Sequence, residues 1–372
     1  MRVIDLTSLS GAYAARLFAE SGHEVIRIER PAGDEVRRLP PFLRGREDLE
    51  HGAYHQFLNA HKKSVTMDLD SSGDRKRFLD LLSQVDVFVA NDPLPVDEET
   101  CLKANPKLVL TKIVDDAPEL CAVARSGLMS LTGHPDRAPV ILGGHVPYLA
   151  VGIYAAVATA AALLARNIAG RGLLATVSVR DALASFVEQA MVEYCFSGTI
   201  TERRGSRGAI TAVSGAMPCK DGHWVISQIH RPGRWSKFVE WVQDPELSAD
   251  PLLAEEANQH KHRDFIMQRL DTWAKRFTKS ELVEQAQRLH FPASPVSTPL
   301  DLIGDPQLLA RGFLSEIDHP EFGKINFPHG AIAGIFGNRM SPAPKLGEHN
   351  EEIFGGLRRA SERRASPAAA DD

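Results

Sequence analysis

The chain has 372 residues, a formal net charge of −5, 43% hydrophobic and 24% charged residues, with 28 Gly and 23 Pro. This composition excludes a collagen-like, coiled-coil or wholly disordered chain. The mild acidity argues against a general nucleic-acid coat or a polybasic membrane binder, while a small anionic ligand needs only local positive charge. The length makes two domains the natural expectation.

The chain opens Met1-Arg2-Val3-Ile4-Asp5-Leu6, with no apolar stretch ahead of a cleavage site. Val3–Leu6 reads as a short strand, and AYAARLFAES after it has helical spacing up to Gly22. Glu24–Glu29 alternates as a strand, Ser64–Asp68 reads as another, and 74–83 as a helix. Val85–Ala90 and Leu108–Thr111 complete the strands of this half. Strands separated by helices imply a parallel, doubly wound sheet. Ligands of such sheets sit beyond the carboxyl ends of the strands. The loop after Leu6, the turn after Glu29 and Asn91 are therefore the positions to watch.

Val146–Ala165 is twenty residues without a charge, long enough to span a bilayer. Its Ala and Gly content fits close helix packing better, so the expectation is a fully buried helix and no membrane contact. From about Ile210 the texture changes. Met217–Ser227 reads as a hairpin turning at Asp221-Gly222, and helical patterns run through 233–243, 262–276 and 279–289. These form a smaller α+β domain. The polar, Ala/Pro-rich end reads as a disordered tail.

Signals for chemistry are sparse. Cys101, Cys121, Cys195 and Cys219 lie far apart with no CxxC, which suggests neither zinc nor a disulfide framework, and a reducing cytoplasm is the expected location. His51 and His55 have the i, i+4 spacing of a helical metal site, but Gly52 weakens a helix there and no third ligand is evident. The pair Lys62-Lys63 reads as either a phosphate contact or a solvated loop.

Several segments together resemble the family III CoA-transferases, the CaiB/BaiF type that includes formyl-CoA transferase and α-methylacyl-CoA racemase. They are VIDLTSLSGAYAARLFAESGHEVIRIERPAGDEVRR, LNAHKKSVTMDLDS, VDVFVANDP, ANPKLVL, SGLMSLTG, GIYAAVATAAALLARNIAGRG with VSVRDAL, AMPCKDGHWVI, DPQLLARGFLSEIDHPEFG and APKLGEHNEE. They occur in the family order and reach to about residue 355. The resemblance implies an α/β fold in which a large Rossmann-like domain with a parallel sheet is built from 1–200 and 325–358. A small α+β domain, 210–315, is inserted, 359–372 is the tail, and two subunits interlock as a dimer. It implies coenzyme A as ligand, carried as acyl-CoA, with a carboxylic acid as co-substrate and no metal. By position, the CoA contacts fall on Leu9, Ser10, Arg30, Lys62 and Asn91. Arg30 and Lys62 would face nucleotide phosphates, the other reading of Arg30 being a pair with Glu29 or Asp34.

Departures from the family pattern bear on the reaction. Family transferases use an aspartate as nucleophile, because an anhydride must form and reverse. That position, four residues before Gly152, is Tyr148 here, and His145 stands three residues earlier. Glu119 matches an acidic family position, Pro118 replaces the racemase's histidine, and Ser10 stands where a Gln is usual. Racemization by the family route is not expected. Three readings stay open: a transferase in which Glu119, or Asp115 or Asp116 behind it, substitutes for the nucleophile; a non-catalytic subunit of a hetero-oligomer with a paralog; or a lyase, isomerase or hydrolase using Tyr148 or His145.

Overall fold

The computed structural model describes residues 1–114, 117–206, 213–227, 229, 231, 233–329 and 341–356. The chain divides into two compact units: Met1–Leu128, Ile141–Phe196 and Pro306–Asp372 form one, Met129–Val140 and Ser197–Asp305 the other. The 359–372 tail lies outside the described residues.

In the first unit the chain alternates β1 (Arg2–Leu6), α1 (Ala12–Glu20), β2 (Glu24–Glu29), α2 (Ala53–Asn59), β3 (Lys63–Thr66), α3 (Ser72–Leu82), β4 (Val87–Asn91), α4 (Glu98–Ala104), β5 (Val109–Val114), α5 (Glu119–Arg125), α6 (Val146–Ala169), β6 (Leu173–Ser178), α7 (Val179–Ala184) and α8 (Glu188–Ser197). The six strands pair in parallel in the order β3-β2-β1-β4-β5-β6. Strand order reverses between β1 and β4, and at such a switch point the loops diverge and leave a crevice. Val3, Ile4, Val25, Ile26, Val87, Phe88, Val89, Leu108, Val109 and Leu110 are buried on both faces of the sheet, as a parallel sheet covered by helices requires.

The segment after residue 341 returns to the sheet edge. His349 donates its backbone N–H to the Ser64 carbonyl at 2.9 Å, and the Thr66 N–H donates to Asn350 Oδ1 at 2.9 Å. Strands β7 (Ala216–Cys219), β8 (Gly222–Ile226) and β9 (Ala293–Pro295) form the antiparallel sheet of the second unit, with Asp221-Gly222 at the hairpin turn. Its core gathers Trp224, Phe238, Ile266, Leu270 and Leu282. Strands β10 (Leu314–His319) and β11 (Gly323–Pro328) form a separate hairpin in the first unit.

Helix α6 departs from the sequence expectation. Pro147, Tyr148, Val151, Gly152, Ala155, Thr159 and Ala162 are buried, but Ile153, Tyr154, Val157, Leu164 and Ile168 are exposed. Among the described residues α1 and the sheet cover one face, while the other meets little beyond Ser185 and Phe186 at Tyr154; the uniformly apolar composition concealed the asymmetry. Gly152 permits the approach to α1. A Cβ there would stand 2.8 Å from Tyr13 Cβ and 3.1 Å from the Ala14 nitrogen, so one helix must shift. Gly152→Ala is expected to destabilise the protein by about 1–3 kcal/mol, read as a lower Tm in thermal unfolding.

Candidate active site

The carboxyl edge of the sheet is organised by a carboxylate inside it. Asp5 on β1 lies opposite Arg27 of β2 in the strand register, and both are buried. Arg27 Nη1 reaches Asp5 Oδ1 at 2.9 Å, and Lys62 Nζ reaches Asp5 Oδ2 at 2.8 Å. Thr7 closes the group, its N–H and hydroxyl donating to Asp5 Oδ1 at 3.0 and 2.7 Å. Burial alone would raise the Asp5 pKa, but the charges of Arg27 and Lys62 outweigh it and lower it from 3.8 to about 2. Burial pulls Lys62 down from 10.5 to about 8, with Asp5 opposing the shift.

This cluster sets the loop that follows β1. The Ser8 N–H donates to Asn91 Oδ1 at 2.7 Å, and Asn91 Nδ2 donates to Ser10 Oγ at 2.8 Å. The loop is thereby tied across the switch point to the end of β4. Leu9 and Ser10 are themselves buried, and the Leu9 N–H points to Glu35 Oε1 at 3.4 Å. A cleft of about 650 Å³ opens over the edge, with Thr7, Ser8, Arg27, Arg30, Arg75 and Asn91 among its walls.

Arg30 is exposed there. Its two candidate partners are committed elsewhere: Glu29 to Arg37 at 2.6 Å and Asp34 to Arg27. Lys62 goes the other way. Besides Asp5 it donates to the Ala12 carbonyl at 3.1 Å and Asn59 Oδ1 at 3.0 Å, so the ammonium read as a phosphate contact stands in the interior bracing α1 and α2 against β1. Lys63 is held by Glu24 and Glu352.

A second cluster lies on the same edge, after β5. Asn91 pairs with Ile113 in the register, six residues before Glu119. Glu119 opens α5, and His145 is the N-cap of α6. Their side chains meet, His145 Nδ1 to Glu119 Oε2 at 2.5 Å. The other oxygen, Oε1, is buried with no hydrogen-bond partner among the described residues. One turn into α6, Tyr148 is buried and its hydroxyl donates to the Ala117 carbonyl at 3.5 Å. The Tyr54 ring stands edge-on to His145, centroids 5.0 Å apart. His145 has φ 54°, a left-handed conformation uncommon for a residue with a side chain.

The fold thus brings Glu119, His145 and Tyr148 together and separately gathers Arg30 and Asn91 at the cleft, with Leu9 and Ser10 in its supporting loop. Asp115 and Asp116 lie outside the described residues. His51 and His55 diverge: His51 precedes α2 and binds Asp48 and Glu321, while His55 pairs with Asn59 at 3.0 Å and burial, aided by Arg37, pushes its pKa down to about 3. No group of three or more potential metal ligands occurs among the described residues. Sequence reasoning missed Asp5, Arg27 and Tyr54. The first two had a legible signal, since a charged residue in each of two adjacent buried strands must find a partner.

Comparison with known proteins gives a consistent picture. The family model described as CoA-transferase family III matches residues 1–350. The succinyl-CoA:mesaconate CoA-transferase of Haloarcula hispanica is 28% identical, over 95% of this chain and 94% of that protein. The succinyl-CoA:(R)-benzylsuccinate CoA-transferase subunit BbsE of Thauera aromatica is also 28% identical, over 95% and 92%. A CaiB/BaiF family protein from Brucella suis, solved by crystallography, superposes with a TM-score of 0.85 at 25% identity, covering 96% of this chain and 98% of the other.

The buried carboxylate makes stability pH-dependent in a defined window. Asp5 has a folded pKa of about 2 against an ordinary 3.8, so the unfolded chain binds the proton more readily. The stabilisation is full above about pH 4 and is lost as pH falls towards 2. Urea midpoints measured across that range should fall for the wild type. Asp5→Asn leaves buried Lys62 without a counter-charge and Arg27 with Asp34 alone, and is expected to cost about 3–5 kcal/mol near neutral pH.

Proposed function

The chain belongs to CoA-transferase family III, and on that premise we propose that it binds an acyl-CoA along the cleft at the switch point and passes CoA between carboxylic acids through Glu119. Arg30, exposed and without a carboxylate partner among the described residues, supplies the charge for a nucleotide phosphate. Asn91, Leu9 and Ser10 shape the loop against which the substrate lies. Lys62 contributes by holding that loop's base.

The observation that carries this reading is the division of labour within the Glu119 carboxylate. Oε2 is held by His145 while Oε1 is buried and unpartnered among the described residues. Oε1 attacks the thioester carbonyl, the carbon–sulfur bond of the tetrahedral adduct breaks, and CoA leaves as thiolate, with the acyl group now joined to Glu119 as a mixed anhydride. The thiolate then attacks the Glu119 carbonyl carbon, releasing the first acid and leaving CoA as a glutamyl thioester; the acceptor carboxylate reverses both steps. The Nδ1–H of His145 on Oε2 polarises that carbonyl when it is the electrophile. Tyr148, a phenol, cannot carry an anhydride of this kind; it packs the site and donates to Ala117.

A second reading is favoured by Tyr148 in the place of the family's nucleophile and by the exposed apolar residues of α6 and α8, Ile153, Tyr154, Val157, Met191, Val192, Tyr194 and Phe196. These suit burial against a second chain, a copy of this one in a homodimer or a related subunit that brings its own nucleophile; the relative BbsE is itself named as a subunit. Light scattering of the purified chain, alone and co-expressed with a paralog, distinguishes the two.

Trapping tests the main reading. Incubation with succinyl-CoA followed by borohydride is expected to modify the peptide carrying Glu119, and Glu119→Gln to abolish it; a digest with no altered carboxylate would sink the proposal. Arg30→Ala is expected to weaken CoA binding about tenfold, equivalent to roughly 1.4 kcal/mol, measured by calorimetry.

A further inference from the structure

Resting on the acyl-CoA-binding half of that reading, we infer that His145 is a general base for water, so that the chain also hydrolyses acyl-CoA thioesters when no acceptor acid is bound. The geometry begins with the tautomer. A carboxylate oxygen can only accept, so at 2.5 Å from Glu119 Oε2 it is Nδ1 of His145 that carries the proton. In the neutral ring this leaves the lone pair on Nε2, which makes no hydrogen bond among the described residues.

The ring is held for use. Tyr54 stands edge-on to it at 5.0 Å, Glu119 fixes its far side, and its backbone sits at φ 54°. Backbone strain of this kind persists where the surroundings enforce it and gathers at working sites. The side chain keeps 30% of its surface exposed while that of Glu119 keeps 15%, so the base faces outward and its orienting partner inward. An orienting carboxylate, a histidine and an open Nε2 form the base half of a hydrolytic site.

The reaction balances without any further reagent. Nε2 takes a proton from water as the water oxygen bonds to the thioester carbonyl carbon, and Glu119 stabilises the imidazolium that forms. The tetrahedral intermediate collapses, the carbon–sulfur bond breaks, and the CoA sulfur receives the proton from Nε2. The products are the free acid and CoA thiol. His145 is the catalytic residue of this step and Glu119 a positioning residue; no anhydride forms.

The test uses the whole protein with succinyl-CoA and no acceptor, with thiol release followed by a chromogenic thiol reagent. His145→Ala is expected to lower release by about 10²–10⁴-fold while calorimetry shows CoA still bound. His145→Gln, which retains an amide donor, provides a second variant should the first fail to fold, and is expected to lose as much. A single turnover in ¹⁸O-labelled water separates the routes. Direct attack puts the label in the released acid and none in the Glu119 peptide. Hydrolysis through a glutamyl thioester puts it in Glu119, and that result, or an unchanged rate in both variants, would overturn the inference. CoA binding without thiol release in the wild type overturns hydrolysis alone, whereas no CoA binding overturns the reading beneath it as well.

Discussion

The buried carboxylate of Asp5 organises the working edge of this protein. A charge fully removed from water is tolerated only when paired and hydrogen-bonded. Asp5 obtains this from one residue on the neighbouring strand, one beyond α2 and one in its own following loop: Arg27, Lys62 and Thr7. Each partner is thereby fixed. Arg27, so anchored, continues to Asp34 and the Thr7 carbonyl, and Lys62 continues to α1 and α2. The loop that carries Ser8, Leu9 and Ser10 inherits its position from this cluster, and Asn91 then clasps it from the next strand. The interaction adds little net stability against an apolar core of the same shape; what it secures is one arrangement of the loop.

At the neighbouring strand a second cluster of side chains forms. A tyrosine one turn into α6 removes the carboxylate that the family resemblance places there, and a histidine at the start of the same helix reaches across to Glu119 at the start of α5. Both helix starts are set by the ends of the connections that follow β5, so a carboxylate and an imidazole far apart in sequence meet over the sheet edge. A carboxylate held on one oxygen and unpartnered among the described residues on the other can act as nucleophile or as the anchor of a base. The proposed transfer and the proposed hydrolysis both rest on this one carboxylate.

The two faces of α6 differ in what they meet. Its buried face carries Gly152, Ala155, Thr159 and Ala162 beside Tyr148 and Val151, and Gly152 approaches Tyr13 and Ala14. The opposite face carries Ile153, Tyr154, Val157, Leu164 and Ile168 in the open, more apolar side chains on one helix than an isolated surface normally leaves uncovered.

Much of this is legible in the amino-acid sequence. Alternating strands and helices fixed the parallel sheet, because a βαβ crossover permits no other pairing, and the strand ends after Leu6, Glu29 and Asn91 marked the cleft because backbone groups there have no further strand to bind. The edge strand β6 escaped, its alternating exposure blurring the apolar run, as did α2, whose opening Gly and polar residues mask a helix that tertiary packing stabilises. Charge type was written in the residues, but its destination was not. Lys62 and Arg30 are both cations at element boundaries, and only the packing of α1, α2 and β1 around Asp5 sends one into the interior and leaves the other exposed at the cleft. Likewise, the sequence alone determined that a tyrosine stands in the place of the family's aspartate and that a carboxylate and a histidine occur elsewhere in the chain. Tertiary structure decided that His145 meets Glu119, because a hydrogen bond between residues 26 apart depends on where two helices begin in space.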